Sequence, residues 1–586
     1  MLHNYFTIAW RNILKHKLFS LINILGLSVG IAFTLLIGVY VWQELEVNSS
    51  LKNFDNQYII QSKWKDPNMG YDLATIAELP RALKEQYPNL VANFYHWDGV
   101  TSNVSKGDKH FRESIQIGDS TFLKMYGFKL LSGNVNTALN DPFSVVITSK
   151  IALKYFGKTD VVGQTVTIES FLGSKHEFVI TGVLDKTPNN SVTNLNDNNN
   201  SNFFLPSASA KFLGRKMDGW ANNALVGLIE LKDGVKPKDL DGPMRDLIHK
   251  NAPEQTDANL KPFLVPLKTY YITANNGLVK NMLYTLSIIA FFILAMAVIN
   301  FVNICIGRSS QRLREMGIRK VLGGLRKQLI WQFLIESTLT VMIATLIALG
   351  FYTLARPIFA DLLNTEITGL FAFPWWFYLF PVLLSLIIGL LAGLYPALVL
   401  SSLRSVDSLK GKLSQVKDNV IFRKVLVGFQ FATAALVLFG AIIISKQIGL
   451  FFGNSLGYDK DYVVYAQLPR DWSKRGVQKM EVISAQLAQM PQVSSVALSW
   501  EIPDGSNGFS WQIYKPGTGS THSFTSQVLV SDNQYARTYD IPIKAGVFFG
   551  PNFMAADSGK IVINQTQAKA LGYNDPKDAI GQQVKA

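Results

Sequence analysis

Residues 312–337 read RLREMGIRKVLGGLRKQLIWQFLIES and form a basic segment between two long apolar runs. Side chains at i, i+3, i+4 and i+7 share one face of a helix, and here they are Ile318, Val321, Leu322 and Leu325. The opposite face is basic, with Arg319, Lys320, Arg326 and Lys327. Because Gly323-Gly324 is a poor helix interior, the pattern predicts two short helices that meet at a membrane surface. The second helix enters the next apolar run at about Leu329.

An ordinary positively charged loop would explain the basic residues, because membrane topology alone demands them. However, EMGIRKVLG (315–323) followed by QFLIES (332–337) resembles the signature after the second transmembrane helix of MacB/FtsX-type ABC transporter permeases. The exit of a later apolar run, LYPALVLSSLRSVDSLKGK (394–412), resembles the end of the fourth helix in that family. In the family, the loop after the second helix docks onto a separate ATPase subunit. The resemblance implies this coupling role for Glu315, Met316, Gly317, Ile318, Arg319, Lys320, Val321, Leu322 and Gly323.

The positive charge is concentrated beside the apolar runs. Residues 1–17, 306–328 and 401–424 hold 16 Lys/Arg and 3 Asp/Glu, which is +13 of the formal net charge of +14. The positive-inside rule requires this arrangement, whereas a nucleic-acid surface needs a basic face on a folded domain. The charge pattern therefore predicts a protein embedded in a lipid bilayer and excludes nucleic acid as a partner.

Long apolar runs, of which only the third contains a charged residue, Glu336, predict a membrane α-helical bundle of five transmembrane helices. The runs are residues 18–42, 282–306, 329–355, 377–400 and 425–445. The first run is longer than the apolar core of a signal peptide and lacks a small-x-small cleavage site, so it is an uncleaved helix. With the N-terminus inside, the segments 307–328 and 401–424 are cytoplasmic, and 356–376 is an outer loop.

Three local patterns add detail to the bundle. Residues 1–17 have the spacing of an amphipathic helix that lies in the membrane interface. Gly26 and Gly30 form a GxxxG pattern, which indicates either a close helix–helix approach or generic packing. Glu336 lies at the inner interface, or it is a buried acid that needs a partner if the span already begins at Leu329.

Residues 46–280 lack the membrane pattern and predict a first extracytoplasmic domain of the α+β class. Its predicted strands are Ser144–Thr148, Thr165–Glu169 and 178–183, and its predicted helices are Leu79–Gln86 and Ser149–Phe156. Residues 189–202, NNSVTNLNDNNNSN, are expected to bury nothing and to form a mobile loop.

Residues 448–586 repeat the first domain. The stretch 122–133 aligns with 535–546, and 146–166 aligns with 562–584, at offsets of 413 to 418 residues. Such a drift is typical of a duplicated unit with loop insertions. The family resemblance makes both domains the MacB-like periplasmic core type.

The second domain is expected to be an incomplete copy. The alignment ends at Val584, the counterpart of Val166, whereas the first unit continues with about 100 more domain residues and three spans. A full second unit would end near residue 800 and give eight spans able to seat two ATPases. We expect unpaired strand edges at 561–564 and low stability of 448–586 alone, unless the chain is a fragment of a longer product.

The sequence carries no recognisable catalytic or metal motif. In the segment 152–159, the candidate closest to a phosphate-binding loop, Ala152 stands where such a loop needs glycine. Cys305 is the only cysteine, and the seven histidines show no metal-ligand spacing. We therefore expect a chain with no catalytic residue, no cofactor and no bound metal.

These patterns and the resemblance together imply the permease subunit of an ABC-type export or mechanotransmission system. Its expected partners are a separate cytoplasmic ATPase, a periplasmic or outer-membrane protein, and the lipid bilayer. The expected location is the bacterial inner membrane, with the N-terminus cytoplasmic and the large domains periplasmic. Two alternatives stay open: an FtsX-like signalling subunit that moves no substrate, and a receptor without an ATPase.

Overall fold

The computed structural model describes residues 2–15, 17–65, 73–185, 191–195, 201–322, 325–402, 417–453, 457–459, 461–469, 471, 473–503, 509–517, 523–550 and 559–585. The chain forms two compact units. The helical unit comprises Met1–Val47 and Ile272–Gln447, and the mixed unit comprises Asn48–Tyr271 and Ile448–Ala586. Within the mixed unit, we call residues 48–271 the first α+β domain and residues 448–586 the second α+β domain.

The elements are numbered along the chain. The helices are α1 (Leu2–Lys15), α2 (Lys17–Leu45), α3 (Leu79–Gln86), α4 (Phe122–Tyr126), α5 (Ser149–Phe156), α6 (Asp241–Asn251), α7 (Glu254–Asn259), α8 (Leu267–Val321), α9 (Arg326–Leu362), α10 (Leu379–Ser402), α11 (Lys417–Phe452), α12 (Lys474–Ala488), α13 (Tyr535–Thr538) and α14 (Gln565–Ala570). The strands are β1 (Gln57–Trp64), β2 (Val91–Lys106), β3 (Lys109–Gly118), β4 (Leu130–Gly133), β5 (Ser144–Thr148), β6 (Thr165–Glu169), β7 (Lys175–Leu184), β8 (Phe203–Pro206), β9 (Val226–Leu231), β10 (Leu260–Pro266), β11 (Phe509–Ile513) and β12 (Phe524–Val528).

The helical unit contains, among the described residues, five helices that are long and apolar enough to cross a membrane. They are α2, α8, α9, α10 and α11. The GxxxG pattern of α2 marks a close approach to α8: a Cβ on Gly30 would lie 2.5 Å from the Cβ of Ala297, and one on Gly26 would lie 3.7 Å from Nδ2 of Asn300. The small residues therefore let two helix backbones pack closely.

The prediction of two short helices in the basic segment is wrong. The first is the end of α8, which stays helical from the apolar run to Val321, and the second is the start of α9 at Arg326. The sequence from Met282 to Leu322 contains no proline, so nothing stops the membrane helix from continuing. The predicted bend at Gly323-Gly324 lies outside the described residues, as do residues 403–416 of the segment 401–424.

The first α+β domain is built on a mixed sheet. Its strand order is β10-β1-β9-β2-β3-β8-β5-β7-β4, and β6 pairs with β2 and β7. The α+β class is confirmed, as are the bounds of β5, β6, α3 and α5, while the predicted strand at 178–183 lies inside β7. Alternate apolar side chains of the strands fill a core that includes Ile115, Ile147, Phe178 and Phe203.

The prediction that residues 189–202 bury nothing is wrong where they are described. Ser191, Val192, Thr193 and Ser201 are buried. The Ser191 hydroxyl donates to Oδ1 of Asn48 at 2.7 Å, and the Ser201 N–H donates to the carbonyl of Thr193 at 3.1 Å. A small polar side chain such as that of Ser191 can be buried when a partner accepts its hydrogen bond. Residues 189–190 and 196–200 lie outside the described part.

The repeat is visible in the backbone of the second α+β domain. Residues with a positive φ recur at offsets of 413 to 418. The pairs are Gly127 and Asp540, Gly133 and Gly546, Gly157 and Gly572, and Gly163 and Gly581. The helices α4 and α5 correspond to α13 and α14. In contrast, the described residues 559–564 are not in a strand, although their counterpart is β5.

Candidate coupling site

The end of α8 carries an exposed apolar group, Ile318, Val321 and Leu322, and Leu325 follows it. Their exposed fractions are 47%, 63%, 80% and 65%, respectively. We call these four residues the apolar tip. The turn is ordered locally, because the N–H of Leu322 donates to the carbonyl of Ile318 at 3.0 Å. A tip of large exposed apolar side chains at the end of a long helix is suited to protein contact.

The nine residues implied in coupling are only partly described. The backbone of Glu315, Met316, Gly317, Arg319 and Lys320 is helical, whereas their side chains lie outside what the structure describes. Gly323 is also outside the described residues. The structure thus brings Ile318, Val321 and Leu322 together on one exposed helix end.

The first turn of α9 is positively charged and follows the apolar tip directly in the chain. The N–H of Leu325 donates to Oε1 of Gln328 at 3.0 Å, and this contact caps the helix. The exposed Arg326 and Lys327 follow in the first turn. The first turn of α9 therefore adds positive charge beside the apolar tip.

Helix α9 connects the tip to α1. Burial on α9 begins at Leu329, which is 3% exposed. About two turns further on, Nδ2 of Asn12 donates to Oε2 of Glu336 at 3.3 Å. Ala9 is buried on the same face of α1, whereas Phe6 and Trp10 are about half exposed. Glu336 therefore has a polar partner, and α1 is attached to α9 on one side while an apolar side stays exposed.

Helix α9 also contacts α10 at the end of the QFLIES stretch. The Ser337 hydroxyl donates to the carbonyl of Gly389 at 2.9 Å, and a Cβ on Gly389 would lie 2.6 Å from Cα of Thr338. A Cβ on Gly393 would collide with the Ser337 hydroxyl. Sequence reasoning missed these contacts, although Glu336, Ser337 and the two glycines were visible signals. Helix α9 therefore contacts both α1 and α10.

Nothing in the described residues provides a nucleotide or metal site. The segment from Ala152 to Thr159 begins inside α5. The helix ends at Phe156, and Gly157 caps it with φ 72°. A phosphate-binding loop precedes a helix, so this geometry is the reverse of the required one. No group of three or more potential metal ligands occurs in the described part of the chain.

Comparison with known families identifies both parts of the chain. Residues 20–247 match the MacB-like periplasmic core domain family, and residues 287–404 match the FtsX-like permease C-terminal family. The two matches, in this order, define a membrane permease with a large domain inserted after its first helix. The chain belongs to the MacB/FtsX-type family of ABC transporter permeases.

The relatives include proteins described as ATP-binding/permease proteins and one described as a permease alone. It is 24% identical over 417 residues to the macrolide export ATP-binding/permease protein MacB of Haemophilus ducreyi, covering 69% of this chain and 55% of that protein. It is 26% identical over 421 residues to the ABC transporter permease YknZ of Bacillus subtilis, covering 69% of this chain and 97% of that one. The periplasmic region of MacB from Actinobacillus actinomycetemcomitans matches with a TM-score of 0.29 and 14% identity, over 40% of this chain and 98% of that one. The chain therefore spans little more than half of the MacB relative.

Proposed function

We propose that this chain is the permease subunit of an ABC-type export or mechanotransmission system, with the ATPase on a separate polypeptide. The apolar tip carries the proposal, because it offers an ATPase a contact surface on a helix continuous with the membrane. The similarity to YknZ over nearly its whole length supports a permease without its own ATP-binding part. This relationship does not favour a receptor that works without an ATPase.

The orientation follows from the charge distribution. The three basic segments at 1–17, 306–328 and 401–424 place the N-terminus and the apolar tip in the cytoplasm. The five apolar helices then span the bacterial inner membrane, and both α+β domains lie on the periplasmic side, where they meet a periplasmic or outer-membrane partner. ATP hydrolysis moves the tip, and α8 and α9 pass this motion to α1 and α10.

The second α+β domain requires further strands, equivalent to β7–β10, in the assembled permease. In the first domain, β1 lies between β9 and β10, and Ile60 is fully buried. In the second domain, the stretch DYVVYAQL (461–468) is not in a strand, Val464 is 94% exposed, and Tyr462 has φ 62°, a strained value for a bulky residue.

The docking proposal is tested with the double variant Ile318→Asp/Leu322→Asp. Burial of the exposed parts of these side chains is worth about 3 kcal/mol, which corresponds to roughly 100-fold in affinity. Each aspartate adds a charge that must lose its water. We expect the ATPase that co-purifies with the wild-type chain to be lost, and stimulated ATP hydrolysis with it.

The matched control is Leu278→Asp, which changes a leucine that is 67% exposed and lies far from the tip, directly after the non-helical residues 274–277 of α8. This variant should keep its ATPase. Retention of the ATPase and of activity by the double variant would show that the tip is not the docking surface. Equal losses in the control would point to a general defect of α8.

A further inference from the structure

A buried histidine in the first α+β domain contacts two oxygen acceptors. His96 lies in β2 and is 6% exposed. Its Nε2 is 2.8 Å from the carbonyl oxygen of Met217, and its Nδ1 is 2.7 Å from Oδ2 of Asp119. The contact between Nδ1 and Asp119 has the distance of an ion pair, but its angles do not meet those of a hydrogen bond. The same carboxylate oxygen accepts the backbone N–H of His96 at 2.8 Å.

These contacts fix the charge of the ring. A carbonyl and a carboxylate only accept hydrogen bonds, whereas neutral imidazole has one N–H and one lone pair. In either neutral tautomer, one ring nitrogen without a proton would lie less than 3 Å from an oxygen. Only the imidazolium form is attractive towards both neighbours, so the geometry selects protonated His96.

We propose that protonated His96 is a pH-dependent clamp that holds the 211–222 loop on β2 and releases it when the ring loses its proton. The loop is attached at Met217 by the ring and at Arg215 by an ion pair to Asp98, with Nε of Arg215 2.5 Å from Oδ2. Asp98 is only two residues from His96 in β2. Because arginine keeps its charge, only the Met217 attachment titrates.

The surroundings set the direction of the response. Burial lowers the pKa of His96, but the Asp119 carboxylate, the Met217 carbonyl and the charge of Glu78 outweigh burial, so the net pKa is raised above 6.5. A histidine with a raised pKa in the folded state stabilises fully below 6.5, and this stabilisation is lost as pH rises through the folded value. The loop is therefore held in acid and released on the alkaline side.

The other charged groups nearby do not supply the same transition. Arg81 on α3 is held protonated by Glu85 and Glu78, and it also feels the charge of Asp119. The pKa of Tyr95 and that of Tyr126 are raised by burial, and the Asp119 charge adds to both shifts. Lys216 and Asp218 flank Met217 on the loop and are exposed. His96 is thus the group of this cluster that changes charge near neutral pH.

Hydrogen exchange of the full-length protein in detergent tests the clamp between about pH 6 and about pH 9.5. The readout is the ratio of exchange in the 211–222 loop to exchange in α5, which contains no histidine, in the same sample, and this ratio cancels the intrinsic pH dependence. In the wild type, this ratio should rise roughly fivefold through a single-proton transition above pH 6.5, as expected for the loss of one hydrogen bond. A flat wild-type ratio would overturn the proposal.

Variants assign the transition to its residue. His96→Leu should give a high ratio at every pH, and Asp119→Asn, which keeps the ring, should move the midpoint to lower pH. The matched control is His249→Gln, because His249 and Asp257 form a pair of the same kind at 2.8 Å with His249 77% exposed. The control should keep the wild-type profile. An unchanged transition in His96→Leu would contradict the clamp, and so would an unshifted midpoint in Asp119→Asn.

Discussion

Replacing Gly30 by alanine tests how closely α2 and α8 pack. The new Cβ would lie 2.5 Å from the Cβ of Ala297, whereas carbon atoms in contact prefer about 3.5–4.0 Å. The helices must therefore separate by about 1 Å, and overpacking of this kind costs about 1–3 kcal/mol. The opposing gain from the better helix former is about 1 kcal/mol.

Gly38→Ala on the same helix is the matched control, because a Cβ there meets nothing within 4 Å. The gain in helix propensity is common to both variants, so the difference between them isolates the overpacking. We expect Gly30→Ala to be less stable than Gly38→Ala by about 1–3 kcal/mol in an SDS titration of the full-length protein. The double variant Gly30→Ala/Ala297→Gly moves the methyl group to the other helix and should recover most of the loss. Equal stability of the two alanine variants, or no recovery in the double variant, would refute the close packing.

Two further predictions concern α1 and the second α+β domain. Asn12→Ala removes the hydrogen bond to Glu336 and should weaken the attachment of α1 to α9 by about 0.6 kcal/mol. Trypsin should then cut faster at Lys15. The control Arg11→Gln, on the exposed side of α1, should leave this rate unchanged. Limited proteolysis should cut within 461–469 and 559–564 of the second domain well before it cuts β1 and β5 of the first domain, because the backbone of these two stretches pairs with no strand. Equal protection of the two stretches and the two strands would show that the second domain needs no further strands.

Much of the fold could be predicted from local patterns. Strands such as β5 and helices such as α3 have the predicted bounds, because burial on a sheet or a helix face leaves a short, regular period in the sequence. The GxxxG pattern of α2 indicated a close contact, but it left the partner open. Only the fold shows that Gly30 meets Ala297, which lies far away in the chain.

The polar residues were the hardest to place. Residues 191–193 were expected to stay in solvent by composition, yet Ser191 is buried because Asn48, from a distant turn, accepts its hydrogen bond. The partner of Glu336 is likewise on another helix, at Asn12. A polar side chain is buried or exposed according to its partner, and the identity of that partner is not a local property of the sequence.

The sequence by itself determined the class of protein, the position of the apolar and basic segments, the repeat and the candidate coupling residues. The apolar and basic segments depend on composition and on spacing over a few residues, which membrane insertion and secondary structure impose directly. The class of protein and the coupling residues are implied by the resemblance to the MacB/FtsX-type family, and the repeat is read from the alignment of the two domains. The tertiary structure decided that the connector is the end of a continuous membrane helix, and that α9 joins it to α1 and α10. It also decided that His96 is enclosed by two acceptors. Such contacts depend on segments that fold together from distant parts of the chain, so no local pattern could specify them.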